Sequence, residues 1–129
     1  MMLGIIGAMD EEVLEIKNAL TDVSVETVTG MDFYRGKVNG KEVVVVRSGI
    51  GKVNAAVCSQ ILVDRFGVEA IVNTGIAGSL RAEINIGDIV LSTDSVQHDM
   101  DATGFGYPAG QIPRMDTFAF PADEKPVSY

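Results

Sequence analysis

The chain has 129 residues, 47% of them hydrophobic and 22% charged, a globular composition long enough for one modest core. Its formal net charge of −8 repels phosphate backbones and anionic lipid, so neither a nucleic acid nor a membrane is expected as a partner. The single cysteine, Cys58, forms no internal disulfide and fits a reducing compartment.

Met1–Met9 is apolar, but it has no basic n-region and Asp10-Glu11-Glu12 follows at once. A signal peptide or membrane span does not look like this, and a cytoplasmic protein is expected. Leu3–Gly7 is a short apolar run closed by glycine, which predicts a buried strand. Asp10–Leu20 carries apolar residues at Val13, Leu14, Ile16, Ala19 and Leu20, the pattern of an amphipathic helix whose acidic first turn suits the macrodipole. Val23–Val28 and Asp32–Val38 alternate, and Lys41–Arg47 is rich in valine. Asn39-Gly40 predicts a hairpin turn. Asn54–Phe66 reads as a second helix with Ala55, Ala56, Cys58, Ile61, Leu62 and Phe66 inside. Ala70–Thr74 reads as another buried strand and Gly87–Thr93 as a turn and strand. After Gln97 the chain is polar, Gly/Pro-rich or aromatic without a clean period, and it reads as loop. Ala122–Lys125 looks like a helix start cut off by Pro126. Strands alternating with helices, plus a hairpin, predict an α/β fold with a mixed central sheet flanked by helices.

Three glycine-bearing turns follow three apolar strands: Gly7-Ala8-Met9, Ser48-Gly49-Ile50-Gly51 and Thr74-Gly75-Ile76-Ala77-Gly78. Ligands of open α/β sheets bind beyond the carboxyl ends of strands, and glycine lets main-chain amides approach them. Each turn alone is equally well a tight connection; three together point to a pocket. No Walker phosphate loop is present, because Val53 stands where its hydroxyl belongs, and no G-x-G-x-x-G follows the first strand.

Carboxylates in a first helical turn are ordinarily caps or solvated charges, and Asp10 and Glu11 are read so. Glu12 differs only if it points into the crevice beside Gly78. His98-Asp99-Met100-Asp101 offers one imidazole and two carboxylates, too little for a closed zinc site, and no metal is expected. Cys58, on an apolar helix face, reads as core. Phe105, Tyr107 and Pro113 lie in the Gly-rich loop, either covering a ligand or partner or holding the loop down.

Several motifs recur in the same order in one family. Gly4-Ile5-Ile6-Gly7-Ala8-Met9-Asp10-Glu11-Glu12-Val13 closely resembles the opening of methylthioadenosine/S-adenosylhomocysteine nucleosidases. So do Ser48–Ala56, Val72–Gly78, Ile86–Val90 and His98–Tyr107 in their places. The resemblance runs from Leu3 to about Lys125. It implies a purine nucleoside phosphorylase-like fold, a homodimer and no cofactor. The implied reaction is hydrolysis of the N-glycosidic bond, releasing adenine and a 5-thio-ribose in methionine salvage and S-adenosylhomocysteine breakdown. Glu12 then matches the family's water-activating carboxylate. Ala8, Met9 and Ile50 match the wall near the ribose and alkylthio group, and Ala77 and Gly78 match main-chain positions beside base and ribose. Phe105 and Pro113 match residues that cover the partner's 5-thio substituent.

Two departures accompany the resemblance. The family commonly carries a hydroxyl residue at the position of Ile76, where it helps hold water and carboxylate; Ile76 cannot make that bond. Family members also continue for about as much chain again, including an aspartate acid, a ribose-binding glutamate and a base-stacking aromatic. The chain is therefore expected to be the N-terminal portion, residues 1–129, of a single nucleosidase domain, truncated and weakly active or inactive alone. The alternatives are a noncatalytic dimerising remnant or a purine nucleoside phosphorylase. The latter needs a phosphate-binding arginine that Gly7-Ala8-Met9-Asp10 does not offer.

Overall fold

The structure, a computed structural model, describes residues 1–124. The chain divides into two compact units, Met1–Gly78 and Ser79–Tyr129. Among the described residues no helix is long and apolar enough to cross a membrane.

The first unit is a five-stranded sheet with a helix on each face. Its strands are β1 (Leu3–Gly7), β2 (Thr21–Val28), β3 (Met31–Val38), β4 (Lys41–Arg47) and β5 (Ala70–Asn73), in the spatial order β2-β3-β4-β1-β5. β2, β3 and β4 form an antiparallel meander, whereas β1 runs parallel to both β4 and β5. The meander turns are local chemistry. Asn39 and Gly40 both have positive φ, 49° and 79°, as the predicted hairpin requires.

β4 explains its own composition. Val43 to Val46 are all buried because the strand is covered on both sides. Val44 and Val46 pack with Cys58 and Leu62 of α2 (Lys52–Phe66), together with Ile6, Phe33 and Val68. Val43 and Val45 pack with Val13 of α1 (Asp10–Asn18). Alternate side chains of a strand face opposite ways, so a strand between two helices is apolar at every position. The expected mixed α/β sheet is present.

Several expectations need correction. α1 ends at Asn18, and the Leu20 amide makes a tighter bond to the Lys17 carbonyl. α2 begins two residues earlier than expected, because Gly51 at its N-cap allows Lys52 and Val53 to form the first turn. The inward side of α2 carries Ala55, Cys58, Ile61, Leu62 and Phe66 as expected; Ala56 lies off it and is exposed. β5 stops at Asn73, and its Ile71 and Val72 are exposed, each at 37%. It is an edge strand, paired among the described residues with β1 alone, so the prediction of a buried strand fails there.

The second unit has little regular structure. β6 (Asp94–Ser95) pairs with β7 (Phe120–Pro121), and Thr103–Phe105 forms one 3-10 turn. Ala102 is buried, and Gly110, also buried, has Val96 and Phe118 beside it. The strand expected at Gly87–Thr93 does not form: Ile89 is 90% exposed and Leu91 87%. A strand exists only through a neighbour that shares its backbone hydrogen bonds; among the described residues none pairs with residues 87–92, and Thr93, beside β6, accepts from the Ala122 amide at 2.8 Å. The helix start expected at Ala122 is also absent over Ala122–Glu124; Lys125 and Pro126 lie outside the described residues.

Candidate active site

β4, β1 and β5 are adjacent and parallel, so the three glycine-bearing turns leave the same edge of the sheet. β1 lies between the other two, the chain reaching β4 on one side and β5 on the other. That is the kind of position where open α/β sheets bind ligands. Main-chain bonds tie the turns to β1. The Ser48 amide donates to the Gly7 carbonyl at 2.9 Å, and the Thr74 amide donates to the Ile6 carbonyl at 2.9 Å. Ser48, buried, also donates its hydroxyl to the Gly49 carbonyl at 2.9 Å.

The acidic triplet at the start of α1 separates into distinct environments. Asp10 forms an exposed ion pair with Arg47, 3.4 Å away. Glu11 is exposed. Glu12, half-buried, turns its carboxylate back over the rim of the sheet. Its Oε2 accepts from the Ala8 amide at 2.7 Å and the Met9 amide at 3.0 Å, and its Oε1 accepts from the Ile76 amide at 3.2 Å. The Met9 bond is the acidic half of a capping box, and the Ala8 bond comes from the residue just before the cap. The third comes from a turn 64 residues away and belongs to no helix cap. Hydrogen bonds to the charged form favour it. The Met9, Ile76 and Ala8 amides together hold the Glu12 carboxyl below its ordinary range against a smaller opposing effect of desolvation.

The crevice expected beside Gly78 is displaced. Glu12 lies against Gly75 and Ile76, while Gly78 and Ala77 are exposed. Ala8 and Met9 are half-buried beside the carboxylate. Ile50 and Ile76, on the turns after β4 and β5, stand 73% and 85% exposed, which puts apolar surface on both flanks of the β1 turn. Ile76 reaches the carboxylate through its main-chain amide alone. Three elements of the site are invisible to side-chain reasoning, namely the amides of Ala8, Met9 and Ile76. Ser48 carried only a weak signal, a small polar residue ending an apolar strand.

In the second unit Phe105 is 87% exposed and Pro113 is exposed. Asp101 accepts from the Thr103 amide and hydroxyl at 3.0 and 2.7 Å, which lowers its carboxyl and occupies it in the turn. Among the described residues no three of His, Cys, Asp and Glu converge closely enough to hold a metal ion. Cys58 is buried and its thiol is pushed up to about 11 by desolvation, the state of an inert core residue.

The family model of the phosphorylase superfamily matches residues 2–129. The chain belongs to that superfamily. A curated methylthioadenosine/S-adenosylhomocysteine nucleosidase from Staphylococcus haemolyticus is 53% identical over 114 residues, covering 88% of this chain and 50% of that protein. Among solved structures, the superfamily member from Colwellia psychrerythraea, a methylthioadenosine/S-adenosylhomocysteine nucleosidase in complex with adenine, superposes with TM-score 0.92 and 47% identity. It covers 96% of this chain and 51% of its own. The Streptococcus pneumoniae nucleosidase with a transition-state inhibitor gives 0.90 and 40%, covering 96% of this chain and 54% of its own. The sheet is thus that of the purine nucleoside phosphorylase-like fold, and the chain spans about half the length of the relatives it matches.

Proposed function

We propose that this chain supplies the water-activating half of a nucleosidase that hydrolyses methylthioadenosine and S-adenosylhomocysteine. The observation that carries the proposal is the Glu12 carboxylate, held by three amides at the carboxyl ends of β1 and β5. In the proposed step a water oxygen bonds to the anomeric carbon as the carbon–nitrogen bond breaks. The bonding pair leaves with adenine, and Glu12 takes the water proton. Held as an anion, Glu12 also faces the positive charge of an oxocarbenium-like transition state. The proton that makes adenine a good leaving group comes, by the family resemblance, from an aspartate in the half of the relatives that this chain does not match.

Ala8, Met9 and Ile50 form the wall toward ribose and alkylthio group, Ala77 and Gly78 lie beside base and ribose, and Ile76 lines the substrate site next to the carboxylate. The protein works as a homodimer in which Phe105 and Pro113 cover the partner's substrate; their exposure supports that role. Residues 1–129 then form the N-terminal portion of one nucleosidase domain. The reaction uses water and side chains alone, and its setting is the cytoplasm.

The test is a chimaera in which this chain replaces the matched half of the Staphylococcus haemolyticus relative, assayed for adenine release. Glu12→Gln keeps the shape but cannot take a proton. It is expected to lower kcat about 10²–10⁴-fold and leave nucleoside affinity nearly unchanged. Asp10→Asn and Glu11→Gln are expected to turn over normally. Equal loss in either of those two would remove Glu12 from its role.

A further inference from the structure

The turn that gives Glu12 its third donor also brings bare backbone against the carboxylate. A Cβ built on Gly75 would stand 2.6 Å from Glu12 Oε1, 3.1 Å from its Cδ and 3.6 Å from Oε2. The three nearest atoms all belong to that one side chain. Gly75 has no left-handed φ, so its backbone would accept an L residue without strain. The contrast is Gly7, where a Cβ would stand 2.7 Å from Val13 Cγ1 and 2.9 Å from Glu12 Cβ. Val13 is fully buried, so a side chain at Gly7 collides with core.

We propose that Gly75 is a positioning residue: its missing side chain is what lets Glu12 Oε1 reach the Ile76 amide. The proposal rests on the reading of Glu12 as the base. In Gly75→Ala the added methyl meets the tip of a flexible side chain, which swings away. The fold survives and the carboxylate moves. Displacing a reacting group by about 1 Å can cost about 10²-fold in rate, so kcat should fall by up to that factor with little change in KM and only the small fall in melting temperature that a lost carboxylate bond brings. A double-mutant cycle separates this from a general effect. Glu12→Asp shortens the side chain and makes room for the methyl, so Gly75→Ala should cost markedly less in the Asp background than in the Glu background.

A second readout does not depend on turnover. In the 129-residue chain, carbon-13 NMR of the Glu12 carboxyl should show it titrating closer to the ordinary glutamate value of about 4.3 in Gly75→Ala, because one of three donors is lost. Asp10, Glu11 and the Asp10–Arg47 pair are the same in both proteins, so the shift reports the Ile76 bond. An unaltered kcat with an unaltered titration would overturn the proposal, and so would additive effects in the cycle. If the unsubstituted chimaera released no adenine, the functional reading would fall, and the titration would still decide the positioning claim.

Discussion

The valines of β4 and the Ile89-Val90-Leu91 run carry the same signal in sequence and end in opposite environments. Val43 to Val46 lie between two helices and two flanking strands and are buried. Ile89 to Leu91 stand in solvent with no strand alongside among the described residues. Apolar patterning states a requirement for burial; the surrounding chain decides whether it is met. In Met1–Gly78 it largely is. In the unit that begins at Ser79, Leu80, Ile86, Ile89, Val90 and Leu91 remain exposed.

The largest expected effect sharpens that contrast. Phe33 is fully buried and stacks on Phe66 with ring centroids 4.9 Å apart. Phe33→Ala should cost about 3–5 kcal/mol in urea denaturation. Leu91→Ala should stay within about 0.5 kcal/mol of the unsubstituted chain. A comparable loss at Leu91 would mean that the second unit buries its apolar run in solution, and the contrast would break.

A smaller effect concerns Cys58. With its thiol raised to about 11 and its side chain inside the α2 face, it should react with a disulfide reagent only as fast as the first unit opens, and freely in denaturant. Rapid labelling in buffer would show that this core is open.

The smallest concerns acid. Glu12 is held by amides that include one 64 residues away, whereas Asp101 is held by Thr103, its neighbour but one. Both carboxyls are lowered in the folded chain. A lowered carboxyl stabilises the fold above its unfolded pKa, and that stabilisation is lost as pH falls through the folded value. Glu12→Gln should therefore remove an acid-sensitive part of the stability of the first unit, seen as a urea midpoint that differs from the unsubstituted chain at neutral pH and converges with it in strong acid. Asp101→Asn should leave that midpoint unchanged at every pH. A midpoint difference for Glu12→Gln that persisted in acid would assign its effect to packing instead.

The strands, helices and hairpin of the first unit were legible because their signals are local: alternation, a helical stripe, Asn-Gly. Edge and centre were not. Ile71-Val72 and Val43–Val46 look alike until pairing is known, since position in a sheet is set by contacts distant in sequence. The same limit applied to Gly87–Thr93. At the site, family motifs singled out Glu12 from Asp10 and Glu11, but only the structure shows the physical difference, a bond to residue 76. Gly75 was visible as a turn glycine. What it accommodates, the tip of Glu12, could not be read from spacing. At residue 76 side-chain reasoning saw only a missing hydroxyl, whereas the bond to the carboxylate comes from the main-chain amide, which every residue but proline carries.

β5 is four residues long, pairs among the described residues only with β1, and leads directly into the turn that holds Glu12 Oε1. Edges of sheets fray before centres, because fewer bonds must break. Opening of β5 would free one carboxylate oxygen, while Ala8 and Met9, which follow the interior strand β1, would keep the other. The two oxygens thus depend on strands with different numbers of neighbours, two for β1 and, among the described residues, one for β5. Whatever later stiffens that edge will tune the carboxylate without touching the core.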